Sequence, residues 1–129
     1  MNNKFQIFKC GNCGSLIEIV EECKCNDCGI KCCGEMMTEE KINGDPNIDI
    51  KHLPIYERVE DEIVVNVGKE KHPMTKDHYI EWIAVVSENR INKVKLYPEQ
   101  DIEIRFKYIP GSNIYAYCNK HGLWISEVK

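Results

Sequence analysis

The chain has 129 residues, 43% of them hydrophobic and 29% charged, with a formal net charge of −4. Such a length allows one globular domain, or one domain beside a small metal-stapled one, and the acidic balance argues against a general nucleic-acid binder. No apolar run has the length of a membrane-crossing helix, and Met1 to Cys10 carry no signal-peptide stretch, so the expectation is a cytoplasmic protein with no membrane partner.

Seven of the eight cysteines lie between Cys10 and Cys33. Residues 1–40 are too few for a self-sufficient hydrophobic core. Cysteines this dense in a cytoplasmic chain bind metal more often than they form disulfides, and a bound metal would supply the missing stability. Phe5 to Phe8 and Leu16 to Val20 are expected to form short strands around the turn Cys10-Gly11-Asn12-Cys13. Such a turn lets two thiolates grip one tetrahedral ion while backbone N–H groups bond to the sulfurs. Two second pairs could close the site. Cys25 and Cys28 give the spacing of a zinc ribbon or a rubredoxin-like site, and Cys32-Cys33 is an adjacent pair. Four thiolates do not by geometry distinguish zinc from iron.

The stretch Asn43-Gly44-Asp45-Pro46-Asn47 is polar and rich in breakers, and reads as a linker between residues 1–40 and 41–129. The second part is expected to be all-β. Glu62 to Val67 is a short β-branched run, and Tyr79 to Val86 is apolar enough for a buried strand. Asp101 to Tyr108 alternates four apolar residues with four charges, the pattern of a half-buried strand. Asn113 to Tyr117 and Leu123 to Ser126 are further strands, separated from the others by Pro98 and Pro110-Gly111. Short strands with turn signals between them point to a β-sandwich.

All four histidines, His52, His72, His78 and His121, fall in this second part, with Cys118 three residues before the last. A single histidine is usually a packing or surface residue. Here the histidines sit near Pro54, Pro73 and Gly122, in loops where a rigid sandwich would carry a site. Four imidazoles and a thiolate are too many for a tetrahedral structural zinc. Five ligands suit an iron with one open position, the thiolate tuning it.

These segments resemble a known family. Lys9-Cys10-x2-Cys13-Gly14 followed by Cys32-Cys33-Gly34-Glu35-x-Met37 looks like the desulforedoxin module. Lys51-His52-x-Pro54, His72-Pro73-Met74-x3-His78-x-Ile80-Glu81-Trp82-Ile83 and Tyr117-Cys118-Asn119-x-His121-Gly122-x-Trp124 resemble the catalytic domain of desulfoferrodoxin and neelaredoxin. The resemblance covers nearly the whole chain. It implies a desulforedoxin-like four-cysteine iron domain over 1–40, with Cys10, Cys13, Cys32 and Cys33 as ligands. It implies an immunoglobulin-like antiparallel β-sandwich over 41–129, with iron held by His52, His72, His78 and His121 and by Cys118 axially. It also implies a superoxide reductase that is a homodimer, with superoxide as substrate and a small donor such as rubredoxin.

Lys51 corresponds to the family's substrate-attracting lysine and Cys118 to its axial ligand, so both are expected to serve catalysis. Lys71 and Lys120 also precede histidines. The chain departs from the family at Ile50, where most members carry a glutamate that can fill the sixth iron position; Asp49 is one residue too early. The extra Cys23, Cys25 and Cys28 also depart from the pattern. Rival readings are a non-enzymatic electron-transfer protein, which leaves the histidines without a purpose, and a zinc-ribbon interaction module fused to a sandwich.

Overall fold

Every regular element is a strand in the computed structural model, which describes residues 5–25, 29–45 and 51–129. Among these residues there is no helix, hence none long and apolar enough to cross a membrane. The chain divides into two compact units, Met1–Lys41 and Ile42–Lys129.

In the first unit, β1 (Ile7–Lys9) runs antiparallel to β2 (Leu16–Glu18), with Phe8 opposite Ile17. The strand expected to reach Val20 stops at Glu18; Val20 is 91% exposed and has no core to pack against. β3 (Lys31–Cys32) and β4 (Glu35–Met36) form a hairpin over Cys33-Gly34, and β5 (Thr38–Glu39) returns to pair with β1. Cys33 and Gly34 both have left-handed backbones, with φ of 55° and 77°. That is the demand of a type I′ turn. Glycine meets it freely, whereas Cys33 does so at a cost of about 1–2 kcal/mol.

The second unit contains β6 (Ile42–Asn43), β7 (Pro54–Val59), β8 (Glu62–Val67), β9 (Ile80–Val86), β10 (Ile91–Lys95), β11 (Ile104–Lys107), β12 (Asn113–Cys118) and β13 (Gly122–Glu127). They build a five-stranded sheet, β10-β9-β12-β13-β6, and a three-stranded sheet, β11-β8-β7. Ile63 and Val65 of β8 meet Ile83 and Val85 of β9 and Ile114 and Ala116 of β12 in one core. This is the expected sandwich, with one difference: β6 joins β13 in parallel. Asn43, expected in a linker, is held there because its Nδ2 donates to the Leu123 carbonyl at 3.1 Å. Pro46 and Asn47 lie outside the described residues.

The alternating segment keeps its expected faces, Ile102 and Phe106 being buried, but its ladder covers only Ile104–Lys107. That ladder pairs it with Glu62 to Val65 of β8.

Candidate metal centres

The first centre lies between the Cys10 knuckle and the Cys33-Gly34 hairpin. The sulfurs of Cys10, Cys13, Cys32 and Cys33 all lie within 4.8 Å of one another, those of Cys13 and Cys32 being 3.7 Å apart. Tetrahedral bonds of about 2.3 Å place sulfurs about 3.8 Å apart, so one ion fits. The Cys13 N–H points at the Cys10 sulfur, 3.5 Å away, as a thiolate knuckle requires. Hydrogen bonding from the side chain and backbone of Ser15 lowers the Cys13 thiol to about 6, whereas sharing a proton with Cys13 and then Cys10 pushes Cys32 up to about 12. Four sulfurs at this spacing cannot all ionise unless a cation sits among them.

The rival pair fares differently. Cys28 lies outside the described residues. Cys25 is exposed, and its sulfur lies 3.6 Å from that of Cys23. Among the described residues neither cysteine joins the four-sulfur group.

The second centre is assembled from four segments of the sandwich. His52 precedes β7, His72 and His78 lie between β8 and β9, Cys118 ends β12, and His121 stands in the turn to β13. His52, His72, His78 and Cys118 each present a ligand atom within 4.8 Å of the others. His121 is exposed and is not in that tightest group. Its ring centroid lies 4.5 Å from His52 and 4.9 Å from His78, and its Nδ1 lies 3.6 Å from the Cys118 sulfur.

The chemistry of these atoms fits a metal. Nδ1 of His72 lies 2.8 Å from the Pro73 carbonyl, which can only accept, so Nδ1 carries the proton. The lone pair is then on Nε2, which is buried without a hydrogen-bond partner, as is Nε2 of His78. Buried polar atoms are nearly always paired, and an orphaned imidazole lone pair is what a metal ligand offers. Burial, reinforced by the nearby histidines, lowers His72 to about 4 against the opposing bond to Pro73. Burial also lowers His78, with His121, His52 and Lys120 adding to it. Both rings are therefore neutral near pH 7, the form that binds metal.

Several residues that hold this arrangement were not singled out in the sequence. Asn119 joins the two ligand loops: its Oδ1 accepts from the Tyr79 N–H, its Nδ2 donates to the Asp77 carbonyl, each at 3.0 Å, and its N–H donates to the Tyr79 carbonyl at 3.2 Å. Trp124 donates from Nε1 to the His121 carbonyl at 3.0 Å, and its ring stacks on His52 at 5.1 Å. The only signal was their place inside the Cys118–Trp124 motif.

Gly68, in sequence a breaker between strands, also holds this arrangement. Its φ is +79°, and a Cβ there would collide with the Lys51 carbonyl oxygen and lie 2.7 Å from that of Glu70. Gly68→Ala is expected to destabilise the second unit by about 2–5 kcal/mol, from left-handed strain and overpacking together. It also displaces Lys51 and His52. Thermal unfolding and the metal content of the variant check this; a native melting temperature and full metal would show that the Lys51 carbonyl yields.

A cavity of about 410 Å³ opens over the histidines, lined by Lys51, Glu70 and Lys71 as well as the rings. Lys120 does not line it. Lys71 is exposed and forms an ion pair with Asp101 at 3.7 Å. Asp49 and Ile50 lie outside the described residues; among the described residues Glu70 is the one carboxylate in the lining.

Comparison with known proteins gives a consistent result. The profile of the Desulfoferrodoxin family matches residues 44–127. A desulfoferrodoxin from Syntrophotalea carbinolica is 34% identical, over 98% of this chain and 99% of its own. A superoxide reductase from Pyrococcus horikoshii is 36% identical, over 61% of this chain and 86% of its own. The crystal structure of the superoxide reductase from Treponema pallidum shares the fold at a TM-score of 0.78, with 23% identity, covering 98% of this chain and all of that one.

Proposed function

Because the chain belongs to the desulfoferrodoxin family, we propose that it is a superoxide reductase, adding one electron and two protons to superoxide to give hydrogen peroxide. The observation that carries this reading is the gathering of His52, His72, His78 and Cys118 within 4.8 Å, with His121 against them. Iron held by these five residues would supply a one-electron reductant with a position open to a small anion. Anaerobic mixing of the reduced protein with superoxide tests the reading. One peroxide per superoxide is expected; one peroxide for every two would mean dismutation, and no consumption would leave the centre without this activity.

The protein's own side chains would set the rate and the path of the substrate. Lys51 lines the cavity over the histidines and supplies the positive charge that draws superoxide in; a water held near its ammonium would carry a proton to the product. Lys51→Ala is expected to slow the bimolecular step by about tenfold or more at low salt and to flatten its salt dependence. Rapid-mixing kinetics at several ionic strengths check this, and an unchanged rate would remove Lys51 from the mechanism. Neutral His72 and His78 would hold the metal rather than compete for those protons. Burial of Cys118 keeps water from its sulfur.

The first centre, Cys10, Cys13, Cys32 and Cys33, is assigned a second iron that stores or relays electrons. The residues fit through their four-sulfur geometry. Residues 1–40 then form a desulforedoxin-like domain and 41–129 the reductase domain. A small redox protein such as rubredoxin acts as donor, and the protein works as a homodimer in the cytoplasm.

A further inference from the structure

We propose that electrons reach the histidine–cysteine centre through a stacked aromatic pair, Trp82 and Tyr117, from an acidic one-electron carrier protein that docks on β10. The inference rests on the superoxide reductase reading and adds the route by which the centre is reduced again.

Three neighbouring strands place the route. Tyr117 of β12 is the register partner of Trp82 of β9, and Trp82 is the partner of Lys95 of β10. The rings of Trp82 and Tyr117 stack with centroids 5.6 Å apart and planes 8° from parallel. Tyr117 is followed directly by Cys118. Successive residues of a strand point to opposite faces, so Cys118 turns into the core with Ile114 and Ala116 while Tyr117 stays in the stack, one residue away along the chain. Trp82 and Tyr117 are 7% and 1% exposed, so little water must reorganise around them. Stacked rings and a short covalent link are the path along which electronic coupling decays least.

The outer end of this line faces a surface suited to a charged partner. β10 is the edge strand of its sheet. Its outward residues, continued past the strand, are Ile91, Lys93, Lys95 and Tyr97, all exposed. The Lys93 ammonium lies 4.5 Å from the centre of the Trp82 ring. Two cations between two apolar side chains suit a transient interface with an acidic face: the charges steer the encounter and the apolar ends give contact area. The chain as a whole carries −4, so this basic strip directs an acidic carrier toward one place. In the step itself, one electron leaves the carrier and reduces the ferric centre; no bond forms or breaks. A packing role alone accounts for the stack but not for the cations aligned with it.

The test uses the full protein with its catalytic iron oxidised, mixed anaerobically with reduced rubredoxin as an acidic probe, and separately with ascorbate. Trp82→Leu is expected to slow reduction by rubredoxin several-fold and leave reduction by ascorbate and the superoxide reaction unchanged; Trp82→Phe, which keeps a ring, restores most of the rate. A Lys93→Glu/Lys95→Glu variant is expected to slow the rubredoxin step by about tenfold and to reverse its salt dependence. Zinc-loaded protein provides a readout without turnover: rubredoxin should shift the NMR signals of β10 in the native protein and not in the charge variant. Native rubredoxin kinetics in Trp82→Leu overturn the route, and native salt dependence in the charge variant overturns the docking site. A Trp82→Leu protein slowed equally toward ascorbate, with an altered ferric spectrum, assigns the ring to packing and also overturns the route. Native protein that accepts electrons from rubredoxin but does not consume superoxide would instead refute the function on which the inference rests.

Discussion

Replacing Cys118 with serine is expected to remove superoxide reduction almost completely, by a factor on the order of 100 or more, since even residues behind a ligand are worth 10–100-fold. The thiol is fully buried within the core of the second unit. A serine hydroxyl at that place neither donates electrons to a metal as a thiolate does nor finds water. Leaving it without a partner costs about 1–3 kcal/mol. Two changes therefore accompany the lost activity: the sulfur-to-metal absorption band of this centre disappears, and the variant binds less metal there. The four-thiolate centre, built from other residues, keeps its own spectrum. Metal analysis, visible spectra and rapid-mixing kinetics on one preparation check all three. A Cys118→Ser protein with native kinetics would show that the thiolate is not a ligand that matters.

Removing the metal from the first centre is expected to unfold residues 1–41 and leave the sandwich folded. The buried side chains described in that unit are Phe5, Ile7, Cys10 and Met37. At about 1.5–3 kcal/mol each, their burial falls far short of the cost of ordering some 40 residues at about 1–2 kcal/mol per backbone. A four-thiolate metal contributes on the order of 10–16 kcal/mol to such a fold. The second unit has its own core, from Ile63 to Val128, and needs no such addition. Cys10→Ser/Cys32→Ser, or a chelator at mild acid, should erase the NMR dispersion of β1 to β5 while the signals of β8, β9 and β12 persist. Limited proteolysis should then stop near residue 42. Retained dispersion in the first unit would mean that its short strands are self-sufficient.

How far the sequence foretold this arrangement depended on the range of each interaction. The knuckle at Cys10, the adjacent pair at Cys32-Cys33 and the core face of Ile102 to Phe106 are written in local spacing, and the structure places the sulfurs and side chains accordingly. Besides the two-residue strands β3 to β6, two longer strands gave no such signal. β7 begins with Pro54 and shows water most of its length; β10 reads as a charged segment because it packs only one face, as an edge. Among ligands, the histidines were marked by residue type, by the breakers beside them and by their motifs, not by any hydrophobic period. The exposure of His121 and the burial of His72 arise from loops that pack across long separations. Asn119 bonds residues 40 and 42 positions away, and Gly68 is defined by a carbonyl 17 positions back. No local pattern carries such information.

The clamp formed by Asn119 has a further consequence for how the protein matures. Its bonds to Asp77 and Tyr79 tie the two ligand loops together through protein atoms. The sandwich, with its own core, is therefore expected to complete its folding in an iron-starved cell and to load when supply returns, whereas the cysteine unit is expected to stay open to proteolysis until its ion arrives. Iron limitation would thus produce a half-finished population, intact from residue 42 onward, in which renewed activity depends on metal uptake rather than on new protein synthesis.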